Sequence, residues 1–178
     1  RTPQIRFSTY KSKNQLSLSI ENPSNDLADT DSITVLAGRF PDLIGSYRIN
    51  GKFGFVKVAA LVRELHYESD KVRTLLGYGA NVAGKLKVGE KDNFKFQGVV
   101  GTGIAQYLEG AKALGYDAFY NGTPELDPLQ MGGGYVSFQH HWSESLHSSL
   151  TGGWLGVLEK PALDATDFYS GYYGSANI

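Results

Sequence analysis

The sequence contains no cysteine among its 178 residues. This absence excludes a disulfide-stabilised scaffold and a metal site built from thiolates. No stretch approaches the roughly 18 consecutive apolar residues of a transmembrane helix. The net charge is only −1, so the chain as a whole lacks the basic character that nucleic-acid binding requires, and we expect no nucleic-acid partner.

Signatures of catalysis and cofactor binding are also missing. The sequence has no Gly-x-Ser-x-Gly nucleophile elbow and no His-Glu-x-x-His zinc motif. His140 and His141 are adjacent on a predicted strand, so their rings point to opposite faces and cannot chelate one metal ion together. We therefore predict that the protein is not an enzyme and that it uses neither a cofactor nor a metal ion.

Glycine and tyrosine, by contrast, are abundant, with 22 and 11 residues. Tyrosine favours strands and the aromatic girdles found at membrane interfaces. Apolar residues make up 41% and charged residues 20%, which is ordinary for a soluble protein. Hydropathy is nevertheless a weak guide here, because a strand of a membrane barrel is apolar on one face only.

Segments of alternating apolar and polar residues dominate the chain. They predict nine strands, near 5–11, 15–22, 41–50, 53–66, 74–89, 92–103, 133–143, 146–158 and 167–174. Some strands are joined by very short turns, at Ser12-Lys13-Asn14, Asn50-Gly51-Lys52, Glu90-Lys91-Asp92 and Ser143-Glu144-Ser145. The other connections are long, at about 23–40, 67–74, 105–132 and 160–166.

This alternation of connection lengths is typical of transmembrane β-barrels, which have short periplasmic turns and longer extracellular loops. We therefore predict an all-β, antiparallel transmembrane β-barrel. A porin-sized barrel of 16 strands needs roughly twice this length. Because the chain opens directly into a strand at Arg1-Thr2-Pro3, without a signal peptide, we interpret residues 1–178 as a single β-barrel domain that is an incomplete segment of a barrel.

In most of the predicted strands the two faces differ in polarity, whereas the pattern is ambiguous in 146–158 and 167–174. In segment 74–89, one face carries Leu76, Tyr78, Ala80, Val82, Leu86 and Val88, and the other carries Gly77, Gly79, Asn81, Lys85 and Lys87. Leu61 and Val99 depart from the pattern, because they fall on the polar face. In a soluble β-sandwich the apolar face would point inward, whereas in a membrane barrel it would face lipid. Connection lengths and the length of segment 74–89 favour the barrel.

Basic side chains collect on the polar face. Seven basic residues lie there against two acidic ones. The basic residues are Arg6, Arg48, Lys57, Arg63, Lys85, Lys87 and Lys95, and the acidic residues are Glu21 and Asp42. A channel lined by one sign of charge concentrates the opposite ion, so these side chains predict a pore wall that attracts anions. The alternative is a solvated sheet face that binds nothing.

The segment 105–132 is the connection most typical of a functional loop. Residues 105–114 have weak helical spacing, and aromatic residues and two prolines follow. Loops longer than about 12–15 residues tend to be functional or disordered. Two placements remain open, since the segment can fold into the lumen of a barrel or cover it from outside.

Several motifs, in this order, resemble the DcaP-like porins of Gram-negative bacteria. They are Pro3–Phe7, Ser17–Pro23, Pro41–Leu43, Gly84–Gly89, Phe96-Gln97, Gly103-Ile104, Tyr107-Leu108 and Gly134–Trp142. The resemblance implies a trimeric, 16-stranded outer-membrane porin, surrounded by outer-membrane lipid, that admits small anionic solutes such as dicarboxylates. Of the candidate pore residues, Arg6 lies in a motif that aligns with the family, and the others follow from strand parity.

Two other functions are compatible with an all-β chain. One is a soluble ligand- or carbohydrate-binding module whose core is the apolar face. The other is a barrel enzyme such as an outer-membrane lipase, which is disfavoured because no spacing suggests a set of Ser, His and acidic residues.

Overall fold

The computed structural model of the protein describes residues 3–27, 32–120, 123–159 and 167–178. Those residues form twelve β-strands and one short 3-10 helix, Ala105–Tyr107. The strands are β1 (Gln4–Lys11), β2 (Asn14–Glu21), β3 (Thr34–Val35), β4 (Asp42–Gly51), β5 (Gly54–Glu68), β6 (Val72–Val88), β7 (Asp92–Thr102), β8 (Ala118–Tyr120), β9 (Leu126–Pro128), β10 (Gln130–His141), β11 (His147–Val157) and β12 (Ser170–Asn177). In this described part, no helix has the length and apolarity needed to cross a membrane.

Nine of these strands form one continuous antiparallel path, in the order β1-β2-β4-β5-β6-β7-β10-β11-β12. The short β3 pairs with β5, and β8 pairs with β9 in a separate two-stranded sheet. Because every pair along the path is antiparallel, successive connections alternate between the two ends of the sheet. The turns at 12–13, 52–53, 89–91 and 142–146 therefore lie at one end. The predicted all-β, antiparallel architecture is confirmed.

The connection predicted at 67–74 differs from the structure. Strand β5 continues to Glu68 and β6 begins at Val72, so that only residues 69–71 form the turn. The strands extend further than predicted because the alternation of apolar and polar residues continues through Leu65, Tyr67 and Leu75. The side chains of Leu65 and Tyr67 are buried, and that of Leu75 is half-buried. The predicted connection 160–166 lies outside the described residues, and the last strand begins at Ser170 rather than at 167.

The turn between β4 and β5 depends on one glycine. Gly54 has φ +116°, in the region that residues with a side chain rarely adopt. A Cβ at this position would also collide with the carbonyl oxygen of Lys85 on β6. The absence of a side chain thus lets β5 and β6 approach each other closely at the end of the sheet that carries the short turns.

The two faces of the sheet have opposite environments. Residues that pair directly across strands share a face, so Arg48, Lys57 and Ala83 define what we call the polar face. On the opposite, apolar face, large apolar side chains are exposed. Ile5, for example, is 76% exposed and Leu150 is 68% exposed. In the described residues no second sheet covers this apolar face. The soluble sandwich, whose core would be the apolar face, is therefore not what the structure contains.

The packed core lies on the polar face instead. Residues 103–120, which we call the inserted loop, lie against the strands there. The loop contributes Ile104, Ala105, Leu108 and Ala111 to a buried cluster, which also contains Leu61, Leu129 and Met131, with Ile44, Val99 and Leu155 packed around it. The exceptions noted in the sequence, Leu61 and Val99, are thus explained, because these apolar side chains on the polar face are the ones that contact the loop.

Candidate functional site

The basic residues of the polar face lie on strands β1 and β4 to β7. Arg48 pairs directly with Lys57, and Lys85 pairs directly with Lys95. Like charges placed directly opposite each other destabilise a sheet. Arg6 is also close enough to act electrostatically on Lys57, together with Arg48. The sheet therefore gathers cations at neighbouring positions despite their mutual repulsion.

These cations have polar and aromatic neighbours rather than acidic ones. Arg6 donates a hydrogen bond to Gln4 Oε1 at 2.9 Å, and Arg48 Nε donates to Asn50 Oδ1 at 2.9 Å. The guanidinium carbon of Arg48 lies 3.7 Å from the centre of the Phe55 ring. Within the described residues no carboxylate forms an ion pair with Arg6, Arg48, Lys57, Lys85, Lys87 or Lys95. In the described part of the chain, the polar face therefore carries an uncompensated positive charge from six of the seven predicted basic residues.

Arg63 is the exception, and its prediction as an exposed lining residue is wrong. Its side chain is fully buried beneath the inserted loop, and it forms ion pairs with Asp42 at 3.3 Å and Asp117 at 2.9 Å. Nη1 also donates to the carbonyl oxygen of Gly103, and Nη2 donates to that of Ser24. Strand parity placed Arg63 on the correct face but gave no information about the loop that covers it.

Asp117 and Asp26 organise the acidic side of this cluster. Asp117 Oδ2 accepts a hydrogen bond from Asp26 N at 2.7 Å, and Asp117 Oδ1 accepts one from Gln106 N at 3.3 Å. The carboxylate of Asp26 accepts hydrogen bonds from Ala113 N at 2.9 Å and from Gly115 N at 3.2 Å. The two aspartates thus connect the segment after β2 to both halves of the inserted loop.

Tyr107 joins the inserted loop to the ends of β2 and β4. Its hydroxyl group donates to Asp42 Oδ2 at 2.7 Å and lies 3.4 Å from Glu21 Oε2. Burial raises the pKa of the Tyr107 hydroxyl, so this group stays protonated and remains a donor. The acidic residues that the sequence placed on the polar face, Glu21 and Asp42, therefore hold the loop.

Burial also controls the ionisation of Asp117. It raises the pKa of this carboxyl group to about 6, although the adjacent Arg63 acts in the opposite direction. Sequence reasoning missed Asp117, Asp26 and Tyr107, because they lie in segments without periodicity. Two signals were available: Asp42 and Arg63 lie on adjacent strands, far from the short turns, and Tyr107 lies in the Tyr107-Leu108 motif that resembles the family.

The inserted loop and the cations occupy different levels of the polar face. The loop packs on Ile44 and Leu61, whereas Lys57 lies four residues closer to the short turns on β5. Beside the loop, a cavity of about 510 Å³ opens between the loop and strands β7, β10, β11 and β12. Its lining on the loop and the polar face includes Gln97, Tyr107, Tyr135, Leu155, Phe168 and Tyr173.

The histidines near the short turns interact with one carboxylate. His140 Nδ1 lies 2.7 Å from Asp92 Oδ2, and the backbone N–H of His141 donates to Asp92 Oδ1 at 2.9 Å. Across the part of the chain that the structure describes, no group of three or more His, Cys, Asp or Glu residues is placed to hold a metal ion.

No protein-family model and no curated protein sequence matches this chain. Among solved structures, it is similar to the crystal structure of the outer membrane channel DcaP of Acinetobacter baumannii, with a TM-score of 0.70 and 20% sequence identity. The similarity covers 88% of this chain and 44% of that channel. The chain therefore has the fold of part of a DcaP-like porin barrel and spans less than half the length of that channel. The fold implied by the resemblance of the sequence motifs to DcaP-like porins is therefore confirmed.

Proposed function

We propose that this chain forms part of a passive diffusion channel in the outer membrane of a Gram-negative bacterium, selective for small anions such as dicarboxylates. The observation that carries the proposal is the contrast between the two faces of one sheet. Large apolar side chains are exposed on one face, while six basic side chains without acidic partners in the described residues lie on the other. The fold that the chain shares with a solved outer membrane channel supports the same function.

The apolar face fits a lipid environment. A soluble monomer rarely exposes a contiguous apolar patch of more than a few hundred Å². Here such side chains follow the strands from Ile5 and Phe7 on β1 to Tyr172 on β12. A tilted strand crosses a bilayer in about 9–11 residues. With 15 and 17 residues, β5 and β6 cross the membrane and project beyond it on the side opposite the short turns.

The cations of the polar face support anion selectivity. A water-filled channel with low-dielectric walls focuses the field of such charges and raises the local concentration of counter-ions. The inserted loop narrows the channel above Lys57, so a solute must pass close to the charges that follow. Selectivity then arises from the field of several side chains rather than from one binding pocket. Such a channel needs no cofactor and catalyses no reaction.

The oligomeric state is part of the proposal. We propose a homotrimer of 16-stranded barrels, in which the nine strands contribute to a single barrel domain. On the apolar face, a shallow groove of about 740 Å³ crosses β5, β6, β7, β10 and β11, and small residues such as Ala80, Gly98 and Gly134 line it. Small residues permit close approach of a neighbouring surface in a membrane. Cross-linking of the protein in native membranes would show a trimer if this assignment is correct.

The test of the channel function is electrical. We expect the whole protein, reconstituted in a planar bilayer under a salt gradient, to give a reversal potential of the sign that indicates anion preference. Replacing Arg6, Lys57 and Lys85 together by Glu should move that potential towards cation preference. The effect should shrink at 1 M salt, where the Debye length is about 3 Å.

The matched control is Lys52→Glu, which changes a charge in an exposed turn outside the polar-face cluster. It should leave the reversal potential unchanged. An absence of channels would contradict the porin assignment, while channels that prefer cations, or a triple variant with unchanged selectivity, would contradict the assigned pore lining.

A further inference from the structure

One buried ionic cluster connects the inserted loop to the barrel wall. We propose that this cluster, formed by Arg63, Asp42, Asp117, Asp26 and Tyr107, is a latch that holds the loop against the polar face and thereby sets the cross-section of the channel. We refer to these five residues as the latch. The part of this inference that concerns the channel cross-section rests on the proposed channel function, whereas the holding of the loop does not.

Arg63 is the centre of the latch. Its side chain reaches four separate segments, since it contacts Asp42 on β4, Ser24 after β2, and Gly103 and Asp117 at the two ends of the inserted loop. A guanidinium group suits this position, because it offers five donors in a fixed planar arrangement and stays charged when buried. Arg63 thus contacts an acceptor in each of these segments.

The other members of the latch fix the remainder of the loop. Asp26 accepts hydrogen bonds from Ala113 and Gly115, and Tyr107 donates to Asp42. The loop is therefore held at its start, at its 3-10 helix and near its end. These directional hydrogen bonds and ion pairs define one position for the loop. Apolar contacts of small residues such as Ala105 and Ala111 would allow the loop to shift along the strands.

The charges within the latch explain why the loop depends on Arg63. One guanidinium faces the carboxylates of Asp42 and Asp117 directly, and Asp26 lies next to Asp117. Removing one partner from a buried ion pair is strongly unfavourable, because it leaves an uncompensated charge. Without Arg63, the carboxylates can regain hydration only if the loop leaves the polar face. The latch residues therefore position the loop and need not touch the solute.

The first experiment detects release of the loop directly. Because the chain has no native cysteine, Ala105→Cys introduces a single thiol in the inserted loop, at a residue that is 0% exposed where the loop packs on the polar face. We expect a membrane-impermeant maleimide to label this thiol slowly in the parent protein and roughly tenfold or more faster when Arg63→Met is added. Lys57→Met is the matched control, since it removes a cation from the same face of β5 without touching the loop.

The second experiment measures the channel. Arg63→Met should raise single-channel conductance and add transitions between current levels, because the loop moves in and out of the lumen. Adding Asp117→Asn and Asp42→Asn should restore slow labelling and the parent conductance, since no uncompensated charge then remains. Lowering the pH to 5 should also slow labelling of the single variant relative to that of an exposed cysteine variant such as Ser145→Cys, because Asp26, Asp42, Asp117 and Glu21 are the acidic groups that face the site.

A milder variant keeps the test decisive if Arg63→Met does not fold. Tyr107→Phe removes only the hydroxyl that donates to Asp42, and it should raise labelling and conductance in the same direction by a smaller factor. Unchanged labelling in both variants would overturn the latch. If the variants are labelled faster but the protein forms no channels, the latch is supported and the proposed channel function is refuted. Failure of the latch and failure of the proposed function therefore give different results.

Discussion

Val82 lies on the apolar face of β6, and the proposed orientation places it near the middle of the bilayer. It is six residues from Val88, where β6 reaches the short turns. At about 3.3 Å per residue and a strand tilt of about 40°, six residues rise roughly 15 Å. The hydrocarbon core is about 30 Å thick, so its midplane is also about 15 Å from its edge. Val82→Arg should therefore destabilise the barrel by about 2–4 kcal/mol.

The matched control is a substitution at the same height on the other face. Gln97 is exposed on the polar face and pairs with Ala83, the neighbour of Val82. Gln97→Arg should cost less than about 1 kcal/mol, since a lumen-facing position stays hydrated. Denaturant titration of refolding into liposomes measures both values. Equal losses would contradict the assignment of the two faces, and a larger loss for Gln97→Arg would show that it is inverted.

Two further predictions concern pH and sidedness. Because the raised pKa of Asp117, about 6, favours its protonated form in the docked loop, docking should be strongest below pH 4 and weaken as the pH rises through 6. Labelling of Ala105→Cys, expressed relative to labelling of an exposed cysteine variant such as Ser145→Cys, should accordingly speed up roughly tenfold between pH 5 and pH 8. Asp117→Asn should weaken this dependence, and Asp42, whose pKa burial also raises, should account for what remains. In intact cells, an epitope tag inserted at Lys71, on the turn between β5 and β6, should bind antibody. A tag at Gly51 should bind none, and surface staining at Gly51 would reverse the proposed orientation.

Much of the fold could be predicted from the sequence, because strand pairing here is local. Each long strand pairs with the next, so a short turn such as Lys52-Phe53, which begins one residue beyond the centre of the predicted turn 50–52, fixes the register of the two strands that it joins. Alternation then assigned side chains such as Lys85 and Val82 to their faces. The 67–74 segment was misassigned, since polar residues around the tip of a long hairpin resemble a loop when contacts beyond the strand are unknown.

The candidate site was less predictable than the strands that carry it. Periodicity reports which face a residue occupies, but it does not report what covers that face. Arg63 and Asp117 are separated by 54 residues, and no repeating pattern links them. The same limitation left two placements open for the inserted loop, which the structure places against the polar face.

The pairs of like charges on the polar face link the stability of the barrel to its ionic surroundings. Arg48 lies opposite Lys57 and Lys85 opposite Lys95, and like charges placed in this way oppose folding, so dissolved anions that screen this face should stabilise the sheet. Under the proposed channel function, the anions that pass along this face also stabilise it. In this arrangement, the charge pattern that attracts permeating ions and the charge pattern that weakens the fold are the same.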